Sequence, residues 1–99
     1  MVTIEFYDKK DCTACKIMKN IIKDILNNFD GGELSVNSHS AIRGSTPVEE
    51  GMSKPVYPTI VVRSQFDKDM IVGTCTKHFL ECIINKHIAL ERNDNARKS

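Results

Sequence analysis

The sequence has no apolar run long enough to cross a membrane and no large excess of either charge. Its formal net charge is +1, and the basic residues are scattered along the chain. We therefore expect neither a nucleic-acid partner nor a membrane partner, because both bind concentrated basic surfaces. The chain also has no repeats and no low-complexity tracts.

We also expect no secretory leader, because the N-terminus enters a strand pattern directly and its first charged residue is Glu5. A chain of 99 residues is long enough for one domain with a modest core of its own. Its four cysteines therefore do not indicate a disulfide scaffold. We therefore expect a cytoplasmic protein, and in that compartment a C-x-x-C pair is typical of redox or metal chemistry. We also expect a monomer.

The first part of the chain has the pattern of a strand, a helix and a second strand. Residues 2–6 alternate apolar and polar, as a strand with one buried face does. Apolar residues then recur at spacings of three and four from 14 to 29, which predicts an amphipathic helix that ends at 30–32. Residues 33–37 alternate again. This βαβ unit predicts parallel strands joined by a right-handed crossover.

The middle of the chain, residues 38–54, is rich in glycine, serine and charge and is predicted to be mostly a mobile loop. Within it, Thr46-Pro47-Val48-Glu49 has the form of a capping box with proline at the first helical position. This pattern predicts one or two helical turns at 47–52.

The last part of the chain has the pattern of a β-hairpin followed by a helix. Residues 59–63 are β-branched, and 70–72 can pair with them antiparallel across a turn. Apolar spacing then predicts a helix over 79–90, with His87 on its apolar stripe as a hydrogen-bonded, half-buried side chain. We expect residues 1–91 to form the domain and 92–99 to be a frayed polar tail.

The pair in Cys12-Thr13-Ala14-Cys15 lies where the first strand pattern gives way to the first helix. Free N–H groups and the positive end of the helix dipole stabilise a thiolate there, and Lys9 and Lys10 act in the same direction. We therefore predict Cys12 as an exposed nucleophile and Cys15, one turn further in, as the more buried second cysteine.

Zinc binding is the main alternative for these cysteines. Cys12-x-x-Cys15 and Cys75-x-x-His78 together offer four ligands with suitable spacing. The long apolar helix that follows Cys15 favours redox chemistry, because zinc sites usually lie on turns with little structure around them.

This order of elements, with C-x-x-C at the start of the first helix, resembles the thioredoxin-fold superfamily over residues 2 to about 90. Tyr57-Pro58-Thr59, before the third strand, is similar to the cis-proline loop that faces the C-x-x-C in that superfamily. The resemblance implies an α/β thioredoxin-like fold with a four-stranded mixed sheet, ordered as βαβ, a short helix or loop, then ββα.

Within the superfamily the chain looks more like glutaredoxin, because it is short and lacks the tryptophan that usually precedes the thioredoxin motif. Gly73-Thr74-Cys75-Thr76 resembles the glutaredoxin Gly-Gly-Cys-Asp turn that holds a glutathione carboxylate. Lys9 resembles the basic residue that meets the other glutathione carboxylate. An iron–sulfur cluster shared by two copies, as some glutaredoxins have, stays a minor alternative.

The resemblance implies a thiol–disulfide oxidoreductase that reduces protein or glutathione mixed disulfides. Cys12 and Cys15 would be catalytic, with no bound cofactor. Lys9, Tyr57, Pro58, Thr74 and Cys75 would bind the substrate. Glutathione, as a co-substrate, or a reductase would supply the electrons. A second alternative is a thioredoxin-fold binding module without catalysis.

Overall fold

The computed structural model describes residues 1–29, 32–41 and 54–98, with side chains described up to residue 92. The predicted turns of helix at 47–52 lie outside these ranges. The described strands are β1 (Val2–Asp8), β2 (Leu34–Ser40), β3 (Thr59–Arg63) and β4 (Lys68–Val72), and the helices are α1 (Thr13–Asn27) and α2 (Lys77–Lys98).

The described strands form one mixed sheet in the order β2-β1-β3-β4. β1 is parallel to β2 and antiparallel to β3, and β3 is antiparallel to β4. The parallel pair and the hairpin are both confirmed. β1, β2 and β4 are longer than their predicted patterns, because pairing with a neighbouring strand extends to Asp8, to Ser40 and back to Lys68. β3 has the predicted bounds.

Both helices pack against one face of this sheet. β1 contributes Val2, Ile4 and Phe6 to the core, and α1 contributes Met18 and Ile25 at the predicted helical spacing. β3 is buried from Thr59 to Val62, on both of its faces, which its unbroken β-branched run permits. Neither helix of the described chain is long and apolar enough to span a bilayer.

Thr76 caps the N-terminus of α2, because its Oγ1 accepts the Phe79 backbone N–H at 3.1 Å. The helix continues through Lys98, beyond its predicted end at residue 90, and the fraying of the tail stays a prediction. Arg92 contributes to this continuation, since its guanidinium donates to both carboxylate oxygens of Glu33. The domain boundary at 91 stays a prediction.

His87 attaches α2 to the β3–β4 hairpin, and it is fully buried rather than half-buried. One ring nitrogen lies 2.7 Å from Ser64 Oγ, and the other lies 2.8 Å from Asp69 Oδ2. The Lys86 Nζ donates to the same Asp69 oxygen at 2.6 Å. Each polar group of this network therefore has a partner, as burial requires.

We expect Asp69→Asn to lower the free energy of unfolding by about 1 kcal/mol at neutral pH, after allowance for the partly exposed carboxylate. The hydrogen bond from Lys86, and then that from His87, hold the pKa of Asp69 below its ordinary value of 3.8 despite desolvation. The stability it contributes is therefore present above that value and is lost as the pH falls through the lowered pKa.

Urea unfolding at neutral and acidic pH measures this contribution, and Asp67→Asn is the matched control. Asp67 lies 3.6 Å from the Lys86 ammonium and is exposed. Its loss should cost less than about 0.5 kcal/mol. Equal losses in the two variants would contradict the role given to Asp69.

Candidate functional site

Three loops meet at one end of the sheet, because the strands that carry them are neighbours there. Tyr7, near the end of β1, pairs with Thr59 at the start of β3, and Thr59 pairs with Val72 at the end of β4. The loop before α1, the loop before β3 and the turn before α2 therefore leave the sheet at the same end. These loops carry all the predicted site residues except Cys15, which lies in the first turn of α1.

Cys12 and Cys15 are joined by a disulfide, with their Cα atoms 5.2 Å apart. Cys12 is the N-cap of α1, and its Sγ accepts the backbone N–H of Cys15 at 3.1 Å. Asp11, just before it, has a left-handed φ of 57°, a conformation that aspartate adopts more readily than most residues. This turn folds the first sulfur back over the first turn of the helix.

The prediction that Cys12 is exposed is wrong. Cys12 is 8% exposed and Cys15 is 3% exposed, so the first cysteine is the more accessible of two buried residues. The cause is local packing, because Cys12 belongs to the core cluster and its sulfur is bonded to the buried Cys15, whose backbone N–H it also accepts. Capping could not be foreseen from apolar spacing alone, since cysteine is not among the usual N-cap residues.

The disulfide borders a cleft of about 220 Å³ that is lined mainly by charged side chains. Besides the two cysteines, the cleft is lined by Asp8 and Asp11 and by four lysines, which are Lys9, Lys10, Lys16 and Lys19. The sequence interpretation included the first two lysines and missed Lys16 and Lys19. Their spacing of three, directly after Cys15, was the signal that could have found them.

The loop before β3 contains a cis peptide bond between Tyr57 and Pro58, as the resemblance implied. Thr59 Oγ1 donates to the Val56 carbonyl at 2.7 Å, which fixes this loop against the start of β3. The Tyr57 ring packs against the core and lies 5.9 Å from the Lys9 ammonium nitrogen. The structure therefore brings Lys9 and Tyr57 together beside the cleft.

The turn before α2 is joined to the same loop, because the Gly73 N–H donates to the Pro58 carbonyl at 2.8 Å. Thr74 is exposed on this turn. Cys75 is half-buried, and its backbone N–H points inward to Met18 Sδ at 3.5 Å. Burial raises the pKa of the Cys75 thiol above its ordinary value of 9.0, so it is a poor nucleophile at neutral pH.

The four predicted zinc ligands do not form a metal centre in this disulfide form. Cys12 and Cys15 bond to each other, and the His78 Nε2 lies 3.6 Å from Cys82 Sγ. Within the described ranges, the group of three or more such side chains close enough to hold an ion is instead Asp67, Asp69 and His87. The Lys86 ammonium already pairs with both carboxylates of that group.

No protein-family model and no curated protein sequence matches this chain. Many solved structures are similar to it, and three of them each cover 88% of this chain. A structure described as that of a malarial protein is 16% identical, is covered over 97% of its own length and has a TM-score of 0.73.

Thioredoxin-2, described as a component of the protein secretion machinery of the malaria parasite, is 16% identical with a TM-score of 0.75, and 84% of its own length is covered. The Malassezia sympodialis thioredoxin Mala s 13 is 20% identical with a TM-score of 0.65 and 75% coverage. At these identities the similarity shows the fold alone. The chain has the thioredoxin fold, with a C-x-x-C disulfide at the start of α1.

We expect the two free thiols of the oxidised protein to react unequally with iodoacetamide. Cys82 is exposed, whereas the half-buried Cys75 has a raised pKa, so Cys82 should be alkylated first. Cys75 should react at a comparable rate only as the pH rises above 9.0. Peptide mass spectrometry over time measures both rates.

A Cys82→Ser variant isolates the slower site for this measurement. Faster alkylation of Cys75 than of Cys82 in the wild type at neutral pH would show that the turn before α2 is more open than the structure places it. Cys12 and Cys15 should be labelled only after reduction of their disulfide.

Proposed function

We propose that this chain is a thiol–disulfide oxidoreductase of the dithiol, glutaredoxin-like type, which reduces protein or glutathione mixed disulfides. The observation that carries the proposal is the Cys12–Cys15 disulfide, which lies at the N-terminus of α1 and borders an open cleft. A disulfide that only stapled the fold would have no need of this position, because α1 is already held by its apolar face.

The reaction begins with the reduced protein. The Cys12 thiolate attacks one sulfur of the substrate disulfide, a mixed disulfide forms, and the other substrate sulfur leaves as a thiolate that takes up a proton. Cys15, deprotonated, then attacks Cys12 Sγ and releases the second substrate thiol. Two electrons pass to the substrate, and the protein is left with the disulfide seen here.

The hydrogen bond from the Cys15 N–H to Cys12 Sγ supports the first step. In the reduced protein this donor, with the helix dipole, favours the thiolate over the thiol. Lys9 and Lys10 at the cleft add positive charge to the same region. The low exposure of Cys15 supports its assignment to the second, intramolecular attack.

The loop of Tyr57 and Pro58 supports substrate binding beside the sulfurs. Extended substrate segments can bind by adding backbone hydrogen bonds to such a loop. For glutathione, the position of Lys9 in the cleft supports one carboxylate contact. The turn before α2 gives weaker support for a contact with the other glutathione carboxylate. The Cys75 N–H points inward, and Thr74 is the exposed residue beside it.

Substitution of each active-site cysteine tests the mechanism. Cys12→Ser should lower the rate of insulin reduction by at least about 100-fold, because the nucleophile is removed. Cys15→Ser should keep the first step and accumulate a mixed disulfide with the substrate, which mass spectrometry detects. Full activity of Cys12→Ser would refute its assignment.

Cys82→Ser is the control for this experiment, because Cys82 is a free, exposed cysteine on α2. Its loss should leave the rate of insulin reduction unchanged. A loss of activity in Cys82→Ser equal to that in Cys12→Ser would mean that the reactive sulfur had been placed on the wrong helix.

Lys9→Gln tests the glutathione part of the proposal. If Lys9 meets a glutathione carboxylate, its replacement should raise the KM for glutathione about threefold to tenfold and leave kcat nearly unchanged. Recycling of the oxidised protein by glutathione, compared with recycling by thioredoxin reductase, measures this effect. An unchanged KM would show that Lys9 does not bind glutathione. It would not affect the proposal that Cys12 and Cys15 carry out the dithiol chemistry.

A further inference from the structure

Three lysines form a charged stripe along α1 that the sequence interpretation treated as scattered. Lys16, Lys19 and Lys23 are spaced three and four residues apart, so they lie on the same side of the helix. All three are exposed. Among the described residues, no carboxylate lies within ion-pair distance of any of them, and the nearby Asp24 pairs with Lys77 of α2 instead. We call these three residues the lysine stripe.

An apolar groove of about 240 Å³ runs beside the lysine stripe, between α1 and β2. Its apolar lining comes from both sides, with Ile22 and Leu26 on α1 and Phe6 and Val36 on the strands. Leu26 and Val36 are only half-buried. β2 is an edge of the described sheet, so this groove lies at the side of the molecule.

The groove lies next to the cleft at the disulfide, because Lys19 lines both of them. Lys23 and the exposed Ser38 also border the groove. Along the helix axis, Cys15 and Leu26 are separated by about 16 Å. An extended peptide covers that distance with about five residues. A substrate segment that begins at a reacting disulfide can therefore reach the groove.

We propose that the protein substrate binds this surface through an acidic segment next to its disulfide. In this arrangement its carboxylates pair with the lysine stripe, and an apolar side chain about five residues from the reacting cysteine enters the groove. The inference rests on the proposed function and names its substrate class. Glutathione also has carboxylates, but it has no apolar side chain and is too short to reach the groove.

The arrangement of charges on this surface favours a negatively charged substrate segment over a positively charged one. Asp8 and Asp11 are the acidic groups that line the cleft, and both come before Cys12 in the chain rather than on α1. The lysine stripe is therefore the charge that an approaching segment meets on α1. Such complementarity acts mainly on the association rate and weakens as salt is added.

Two synthetic peptides with the same intramolecular disulfide test the proposal. One continues with a run of glutamates and a leucine, and the other has lysines in place of the glutamates. For the wild type, kcat/KM should be at least about fivefold higher on the acidic peptide, and the difference should shrink with added salt. Equal values for the two peptides would overturn the proposal.

The double variant Lys19→Gln/Lys23→Gln should lower kcat/KM on the acidic peptide by about fivefold. The matched control is Asn85→Glu/Ala89→Glu, which lowers the net charge by the same amount at exposed positions of α2. The control should stay within about twofold of the wild type. An equal loss in both variants would show that only the overall charge matters, which would overturn the docking surface.

Ser38 tests the groove with little risk to the fold, because its side chain is exposed at the border of the groove. Ser38→Glu should lower kcat/KM on the acidic peptide by about threefold, and Ser38→Lys should raise it. The two substitutions add side chains of similar length, so a steric effect would move both variants downward. A fall in both would contradict the proposal.

A binding measurement separates this proposal from the proposed function. The acidic peptide with serines in place of its cysteines should bind the wild type more tightly than the basic one does, and Lys19→Gln/Lys23→Gln should weaken that binding. If it binds in this way but no disulfide is reduced, the proposed function fails and the docking surface stands. If both disulfide peptides are reduced at one rate, the docking surface fails and the function stands.

Oxidised glutathione is the last comparison, because it reaches the cleft but not the groove. Lys23→Gln is the variant for this comparison, because Lys23 lines the groove but not the cleft. Its rate of reduction of oxidised glutathione should stay within about twofold of the wild-type rate, while its kcat/KM on the acidic peptide should fall about threefold. Equal losses on the two substrates would mean that Lys23 acts on small anions, which would overturn its assignment to a protein segment.

Discussion

The hydrogen bond from the Cys15 backbone to Cys12 Sγ is the contact on which the rest of the site depends. It makes one sulfur both the N-cap of α1 and half of the disulfide. Sulfur is a weak acceptor when neutral and a stronger one as thiolate, so the start of the helix and the charge on Cys12 stabilise each other. The helix in turn is held by Met18, Ile22 and Ile25, whose burial fixes its first turn at the end of the sheet.

The sheet places the remaining loops at the same end as that sulfur. A separate set of hydrogen bonds stabilises the opposite end of the sheet. At the site end, the hydrogen bond between Gly73 and Pro58 joins two loops that come from different strands. At the other end, His87 joins α2 to the β3–β4 hairpin through Ser64 and Asp69. This separation allows the loops at the site to meet a substrate without disturbing the polar network that fixes α2.

Much of this architecture could be predicted from the sequence, because it follows from apolar periodicity. The alternation of Val2, Ile4 and Phe6 and the spacing from Met18 to Ile25 both mark faces that are in fact buried. The cis bond at Pro58 was reached only through the family resemblance. The burial of Cys12 and the full enclosure of His87 were not predictable, because they depend on backbone angles and on partners 18 and 23 residues away. The helical tail up to Lys98 has no apolar stripe that could have indicated it.

In the disulfide form the sulfur pair has a small exposed fraction, 8% at Cys12 and 3% at Cys15. In the proposed reaction, the incoming sulfur has to approach Cys12 in line with the bond that breaks. A disulfide on a narrow or mobile segment would reach this depth more easily than one set in a rigid, flat surface. The depth at which α1 holds its first cysteine would therefore favour flexible substrates in that reaction.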